Sequence, residues 1–522
     1  MTEMAELSLD SEKIARSRRA AHRIAREVLD RIGRNTTTAV ERAVLRLLGV
    51  DGVTRDGVPW VNVLVDSLQA GGVLGKGAAG RLVNASLSLG LSLEKTAEKA
   101  VCGDIELARV PEVEASEVRE AVRAHALEAL ERVDGARALR EERRERLGTG
   151  WEPLKYLIVA TGDIREDIVQ ARAAARQGAD IVAVIRHTAQ SLLDYVPEGS
   201  GLQGVGGTIA NRENFRIMRE ALDEVSEELG RYVYLTNYCS GLCMPEMAVL
   251  GARERLDIML NDSMYGVIFR DINMVRTFID QHFSRAVLAR AGMMINTGED
   301  NYLTTADAFE KAHTVLASQF INEQFALLSG LHPGQLGLGH AFEISPKIED
   351  SFLHELAQAQ MVRQIFPDSP IKYMPPTKYM TGNIFQGNVQ DALFNAASVM
   401  TGQSVHLLGM PTEAIHTPHI QDRYLSLRNA DYVFRAMRHL GEEIAFAPGG
   451  RIQRRAEEVL GKALAMLEEI AGMGLMEAIS RAMFADISRT EGGGKGLSGV
   501  IPKDNDYENP FEALLRVERE GS

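Results

Sequence analysis

The residues best suited to chemistry fall at the ends of short apolar runs. Arg186 and Ser191 follow the run Ile181–Ile185. A guanidinium fork beside a hydroxyl suits a phosphate monoester, although a surface arginine and a helix-capping serine share that spacing. Gly204-Val-Gly-Gly-Thr208 offers backbone donors nearby, as an ordinary glycine-rich turn also would. Ser240, within Asn237-Tyr-Cys-Ser-Gly-Leu-Cys243, could hydrogen-bond a heteroaromatic ring nitrogen or cap a turn. A neutral hydroxyl there stabilises a ring cation less than a carboxylate does. Tyr265 follows Asn261-Asp262 and could stack on a flat ring or fill the rim of a core. Asp300, Lys372 and Glu413 suit a zwitterionic amino acid, with generic surface charge the plain alternative for Asp300 and Glu413. Lys372 sits inside an apolar run, where an ammonium is costly unless it points into a polar mouth.

Other patterns carry less. Glu413-Ala-Ile-His416 with His419 is a single E-x-x-H without a second carboxylate–histidine pair, so no metal site is expected. Cys239 and Cys243 have three residues between them, outside the usual redox or zinc spacing, and are read as packed thiols. The tail's GGGKG lacks the phosphate-loop spacing and a preceding strand, and is read as a flexible or closely packed turn.

Positioning these groups requires elements, and the apolar runs supply them. After Trp151 eight short segments suited to buried parallel strands recur, each ending in a polar cluster. They are Tyr156–Ala160, Ile181–Ile185, Tyr232–Leu235, Ile258–Leu260, Met293–Ile295, Gln335–Leu338, Ile371–Met374 and Val405–Leu408. Helical patterns lie between them, as at Glu166–Gln177, Arg212–Leu229 and Thr305–Leu328. Eight strands over this length predict an α/β fold, a (β/α)8 TIM barrel with its site at the strands' carboxyl ends. Residues 1–150 read as a helical accessory region, 151–430 as the barrel, and 431–522 as a largely helical extension. In the first region, Thr38-Ala-Val-Glu41 has capping-box spacing, and the charged run Arg137–Arg146 reads as a solvated helix and linker.

Composition narrows the classes. The 522 residues are 45% hydrophobic and 25% charged, and 58 Lys and Arg against 72 Asp and Glu leave a formal charge of −14. No basic face for nucleic acid is expected from that balance. Three cysteines in so long a chain build no disulfide framework, and the acidic N-terminus lacks a signal-peptide core. A cytoplasmic protein without a membrane span is expected.

Taken in order, IVATGDI, QSLLDYVP, NYCSGLCMPE, RLDIMLND, NTGEDNYLTTADAFE, GLGHAFE and KYMPPTKYMTGNIF resemble the α subunit of lysine 5,6-aminomutase. TAVERA and RLLGVDGV carry the resemblance into the first 60 residues, and GGKGL into the tail. The resemblance implies a pyridoxal 5'-phosphate-binding barrel that moves the terminal amino group of D-lysine or L-β-lysine to the adjacent carbon. It implies adenosylcobalamin as second cofactor, held mainly by a β subunit that also supplies the lysine anchoring the pyridoxal aldehyde at rest. An α2β2 heterotetramer is the expected assembly. By the same resemblance Arg186, Gln190 and Ser191 match the phosphate-binding stretch, Ser240 the group facing the pyridine nitrogen, and Tyr265 the stacked ring. Asp300 and Lys372 match a substrate-holding pair, and Glu413 a further pocket acid. The base-off cobalamin motif D-x-H-x-x-G is approached only at Asp280-Gln-His282, where Arg285 replaces the glycine. This chain is therefore expected to need its partner to hold cobalamin.

Three other readings are open at this level. One is a self-sufficient barrel lyase using Lys372 or Lys378 as a Schiff base. Another is a non-catalytic subunit that shapes the cobalamin chain, and the third is an ornithine 4,5-aminomutase-like enzyme acting on a shorter substrate.

Overall fold

The computed structural model describes residues 6–159, 161–185, 192–201, 207–303, 306–416 and 418–516. Among these residues eight strands form one parallel barrel: β1 (Leu154–Ile158), β2 (Ile181–Ile185), β3 (Tyr234–Tyr238), β4 (Ile258–Leu260), β5 (Met294–Asn296), β6 (Leu336–Gly337 with Gly339–Ala341), β7 (Lys372–Met374) and β8 (Val405–Leu407). Pairing runs from β1 through β6 in chain order, and β8 closes back onto β1 with Val405 opposite Leu154.

Strand alternation divides the apolar residues between two layers. Leu154, Tyr156, Ile181, Ala183, Ile258, Val405 and Leu407 pack together inside the barrel. Their neighbours Leu157, Val182, Leu235, Met259 and Ile295 face outward into the core shared with the helices. Each such side chain, fully buried, contributes about 1.5–3 kcal/mol. Among the described residues, no helix is long and apolar enough to cross a membrane.

Strand β6 is broken at Leu338. Its first half pairs with β5 and its second with β7, so one residue lets a single strand turn the barrel's corner. Glycine is required on both sides of the break. A Cβ on Gly337 would collide with the Ile295 carbonyl oxygen, and one on Gly339 would lie 2.8 Å from that of Thr297.

Four local expectations need correction. Strand β3 runs over Tyr234–Tyr238 and not Tyr232–Leu235, because the Tyr232 amide donates to the Gly148 carbonyl at 2.8 Å, outside the ladder. Strand β1 starts two residues before Tyr156, because the Leu154 amide donates to the Ser404 carbonyl at 2.8 Å. Lys155 disguises this start: it faces outward, and its ammonium reaches Asp431 at 2.6 Å. The helix Thr38–Leu47 is capped one residue earlier than expected, by Thr37, whose hydroxyl accepts the Val40 amide at 3.0 Å. Glu41 closes no capping box; it accepts from the Thr36 hydroxyl at 2.7 Å and the Ala78 amide at 2.7 Å. Finally, the charged run is neither linker nor fully solvated. It completes the helix Ala115–Leu147, and buried Arg140 donates to the carbonyls of Leu256, Ala291 and Gly292 below β4 and β5.

The two flanks meet on the barrel's outside. Asn35–Thr37 pairs antiparallel with Val500–Pro502, and the helix Ser11–Ile32 packs on Arg451–Met473 and Ala308–Leu328. Buried Arg42 and Arg46, on the helix after Thr37, grip the two oxygens of Glu246 at 2.8 and 2.7 Å. Glu246 opens the helix Met244–Arg253 that follows β3, so the N-terminal flank holds the layer beneath the strand ends. The GGGKG turn is closely packed: Asn273 Nδ2 donates to the carbonyls of Glu491 and Gly493 at 2.7 Å.

Candidate active site

The carboxyl ends of the strands surround a cavity of about 860 Å³, within the range of small-molecule sites. Tyr265, Lys372 and Glu413 all line it, so three of the residues selected from sequence converge in space. Arg270, Lys378 and Arg423 add cationic groups, and Glu343 a second acid.

Lys372 reaches the cavity from deep in the barrel. It lies level with Gly339 and with Val405, whose partner on the far side is the first residue of β1. Tyr373 points outward, its hydroxyl donating to Glu355 at 2.5 Å, which turns Lys372 and Met374 inward. At 2% exposure the Lys372 stem is enclosed, and its head is delivered to the cavity. Among the described residues no ion pair includes Lys372.

Tyr265 is fixed by the turn after β4. Asp262 Oδ1 accepts the amides of Met264 and Tyr265, both at 2.9 Å. The Tyr265 hydroxyl accepts from Arg270 at 3.2 Å, and the Arg270 guanidinium carbon lies 5.4 Å from the ring centre. This contact holds the ring's orientation. Arg270 lies in the family-like stretch FRDINM but was given no role from sequence; it lies five residues along the same helical segment, Tyr265–Arg270.

Asp262 itself is the hub of a buried network that sequence reasoning also missed. Its carboxyl oxygens further accept from the Tyr302 hydroxyl, from the Gly298 amide at 3.1 Å and from Asn322 Nδ2 at 3.0 Å. The same Asn322 nitrogen donates to Glu299 Oε1 at 3.0 Å, and Glu299 Oε2 accepts the Gly339 amide at 2.9 Å. Burial, reinforced by the charge of Asp262, pushes the Glu299 carboxyl up to about 8. Arg285 lies below, donating to Asn261 Oδ1 and Asn322 Oδ1 at 2.9 Å each, and burial pulls its guanidinium down to about 10. The loops after β4, β5 and β6 are thereby tied together under the cavity floor. The signal was present in the Asn-Asp and Gly-Glu-Asp strand ends, but which acid faces inward depends on the turn.

Ser240 does not line the cavity. It is fully buried beyond the end of β3, its carbonyl packed against Gly266, and its hydroxyl lacks a hydrogen-bond partner among the described residues. Thr236 Oγ1, Asn237 Nδ2 and both side-chain polar atoms of Asn296 are likewise unpaired at the ends of β3 and β5. None of these four residues lines the cavity. Arg186, Gln190 and Ser191 lie outside the described residues, as does the side chain of Asp300, whose backbone belongs to the turn Glu299–Leu303.

The remaining motif residues have structural partners. The Cys239 thiol donates to the Met244 carbonyl at 3.1 Å and the Cys243 thiol to that of Leu193 at 3.0 Å. His416 and His419 stack on each other at 4.8 Å. Asp280 pairs with Arg276 at 2.7 Å, and His282 Nδ1 sits 2.9 Å from the Ser329 hydroxyl.

A closed parallel barrel with its ionisable groups gathered at the strands' carboxyl ends is the architecture of a TIM-barrel enzyme. Residues 7–514 match the family described as the D-lysine 5,6-aminomutase TIM-barrel domain of the alpha subunit. The chain is 55% identical over 510 residues to the lysine 5,6-aminomutase alpha subunit of Acetoanaerobium sticklandii, covering 98% of both chains. It is 53% identical to that of Fusobacterium nucleatum subsp. nucleatum, covering 98% of this chain and 99% of the relative. The D-ornithine 4,5-aminomutase subunit beta of A. sticklandii is more distant: 29% identity across 68% of this chain and 50% of that protein. The chain belongs to the lysine 5,6-aminomutase α-subunit family.

Proposed function

We propose that this chain, together with a cobalamin-binding β subunit, moves the terminal amino group of D-lysine to the adjacent carbon, giving 2,5-diaminohexanoate. L-β-lysine, giving 3,5-diaminohexanoate, is the neighbouring substrate. The observation that carries this reading is the enclosed cation Lys372 and the acid Glu413 on the wall of one cavity, in a chain related over nearly its full length to lysine 5,6-aminomutase alpha subunits. A zwitterionic amino acid presents the complementary charges.

Two cofactors complete the proposal. Pyridoxal 5'-phosphate would supply the aldehyde that captures the migrating amine, and adenosylcobalamin, carried mainly by the partner, the radical that starts the reaction. The cavity-lining ring of Tyr265 supports pyridoxal phosphate at the barrel mouth. Ser240 would donate to the ring nitrogen without adding a negative charge, and Tyr265 would stack on the ring. Arg186, Gln190 and Ser191 would hold the phosphate. Lys372 would orient the substrate carboxylate, with Asp300 and Glu413 toward its cationic groups. Residues 1–150 and 431–522 would brace the barrel and offer the β subunit its docking surface, in an α2β2 assembly in the cytoplasm.

The test is turnover of D-lysine by this chain with both cofactors, with and without the β subunit, products being resolved by chromatography or NMR. 2,5-Diaminohexanoate formed only with the partner is expected. No product from an intact complex loaded with both cofactors would overturn the D-lysine assignment, and L-β-lysine and ornithine would then be compared.

A further inference from the structure

One face of the barrel's outer wall is apolar and bare. Elsewhere on the described surface exposed large apolar residues are scattered, but between residues 384 and 432 they crowd together. Phe385 is 81% exposed and Tyr432 75%, and Val389, Leu393, Ile415 and Leu425 are exposed with them. Phe385, Val389 and Leu393 recur every four residues on the helix Ile384–Met400, and Leu425 and Tyr432 lie seven apart on the helix Ile420–Ala436. Each set therefore shares one side of its helix. The two helices are joined side by side: Asn429 Nδ2 donates to Asn388 Oδ1 at 2.9 Å, and Asn395 Nδ2 to Asn429 Oδ1 at 2.9 Å. A contiguous exposed patch of this kind marks a binding surface.

Position and charge say what covers it. The long helices of the chain's own flanks are packed elsewhere, on Met244–Arg253, Ala308–Leu328 and Ser351–Ile365. The apolar face is confined to the mouth end of its first helix, since residues 394–399 are buried. That end is seated on the cavity rim: a Cβ on Gly387 would lie 3.0 Å from Pro411 Cα, next to cavity-lining Met410. Ile415 follows cavity-lining Glu413 by two residues. The helix Ile384–Met400 exposes no charge, its one ionisable residue, Asp391, being buried. On the second helix Arg428 and Arg435 are exposed. The acids of that helix are engaged, Asp422 with His416 at 3.9 Å and Asp431 with Lys155 at 2.6 Å. On a chain of net charge −14 this face is an apolar centre with a basic rim, the composition of a protein interface.

We propose that this face is a docking surface for the cobalamin-binding β subunit, which meets it with an apolar patch edged by carboxylates. This rests on the proposed β subunit. The C-terminal extension assigned to the same partner starts at residue 431, so Tyr432 makes the face continuous with it. A partner seated here stands beside the cavity mouth, where its reactive group has to enter. Phe385 and Tyr432 are the anchors, because an aromatic side chain buries a large area while losing few rotamers. Arg428 and Arg435 steer the approach of an acidic rim.

The experiment is calorimetric titration of the full chain with its β subunit, paired with hydrogen exchange on the wild-type complex. Phe385→Ser and Tyr432→Ser should each weaken partner binding about 30-fold or more, the loss of a buried aromatic anchor. Arg428→Glu combined with Arg435→Glu should slow association about 10-fold and flatten its salt dependence. In the wild-type complex, peptides 384–393 and 420–432 should gain protection against exchange. Wild-type affinity in both aromatic variants, or no protection of these peptides, would overturn the proposal. So would variants that turn a dimer of the free chain into a monomer while partner affinity is unchanged, since the face would then join two copies. A wild-type chain that binds no β subunit would sink the partner reading itself, whereas binding with both helices unprotected sinks only this surface. Should a variant misfold, hydrogen exchange on the wild-type complex decides alone.

Discussion

Asp262 Oδ1 accepts the backbone amide of Tyr265 at 2.9 Å, so the aromatic wall of the cavity is hung directly from the buried network beneath it. The same carboxyl takes the Gly298 amide and the Tyr302 hydroxyl, coupling the loops after β4 and β5. Stability and ligand binding therefore share a residue, and replacements around it should separate the two.

Tyr265→Ala should weaken pyridoxal phosphate binding by about threefold to tenfold, the worth of a stacked aromatic contact at about 0.5–1.5 kcal/mol. Tyr265→Phe keeps the ring and loses the hydroxyl that accepts from Arg270, so it should bind nearly as wild type does. A fluorescence or absorbance titration with pyridoxal phosphate reads both. Equal weakening by the two variants would show that the hydroxyl, and not the ring, makes the contact.

Asp262→Ala should destabilise the fold by about 3 kcal/mol, because several buried donors lose their acceptor at once. Denaturant unfolding measures this. Asp262→Asn should cost less, since one oxygen still accepts. A fully stable Asp262→Ala would mean that water replaces the carboxyl.

Glu299 makes stability depend on pH. Its folded carboxyl is raised to about 8, so the native state keeps a proton that the unfolded chain loses near the ordinary carboxyl value of about 4.3. Stability from this group is full below the unfolded value and is lost as pH rises through about 8. Wild type should therefore lose stability relative to Glu299→Gln between about pH 5 and about pH 8. Parallel melting curves for the two proteins across that range would reject the assignment.

Lys372→Met should uncouple stability from activity. Removing an enclosed ammonium that has no ion-pair partner among the described residues should hold or raise stability by about 1 kcal/mol. Turnover should fall about 10-fold to 100-fold in kcat/KM with the loss of a charge-assisted bond worth about 1.5–3 kcal/mol. A variant that is both active and less stable would make Lys372 a structural residue.

Much of this was legible in the chain. The eight apolar runs locate the eight strands to within a few residues, because a parallel barrel buries both faces of each strand and so draws on short, largely apolar segments. Polar clusters after each run marked the mouth, and Tyr265, Lys372 and Glu413 are all found there. What the sequence could not decide lies in turns and in contacts between distant segments. The break of β6 at Leu338, the capping of Thr38–Leu47 by Thr37, and Arg140 under β4 and β5 arise from backbone groups that need partners. So does the network of Asp262, Glu299, Asn322 and Arg285. Asp391 is the clearest case: from sequence it is one polar residue in a helix, and only packing brings it against Gly409 at the end of β8. Local spacing selects strands and helices, because backbone geometry has fixed periods. The protonation and pairing of a buried acid depend on what the fold places around it, and that is set by the whole chain at once.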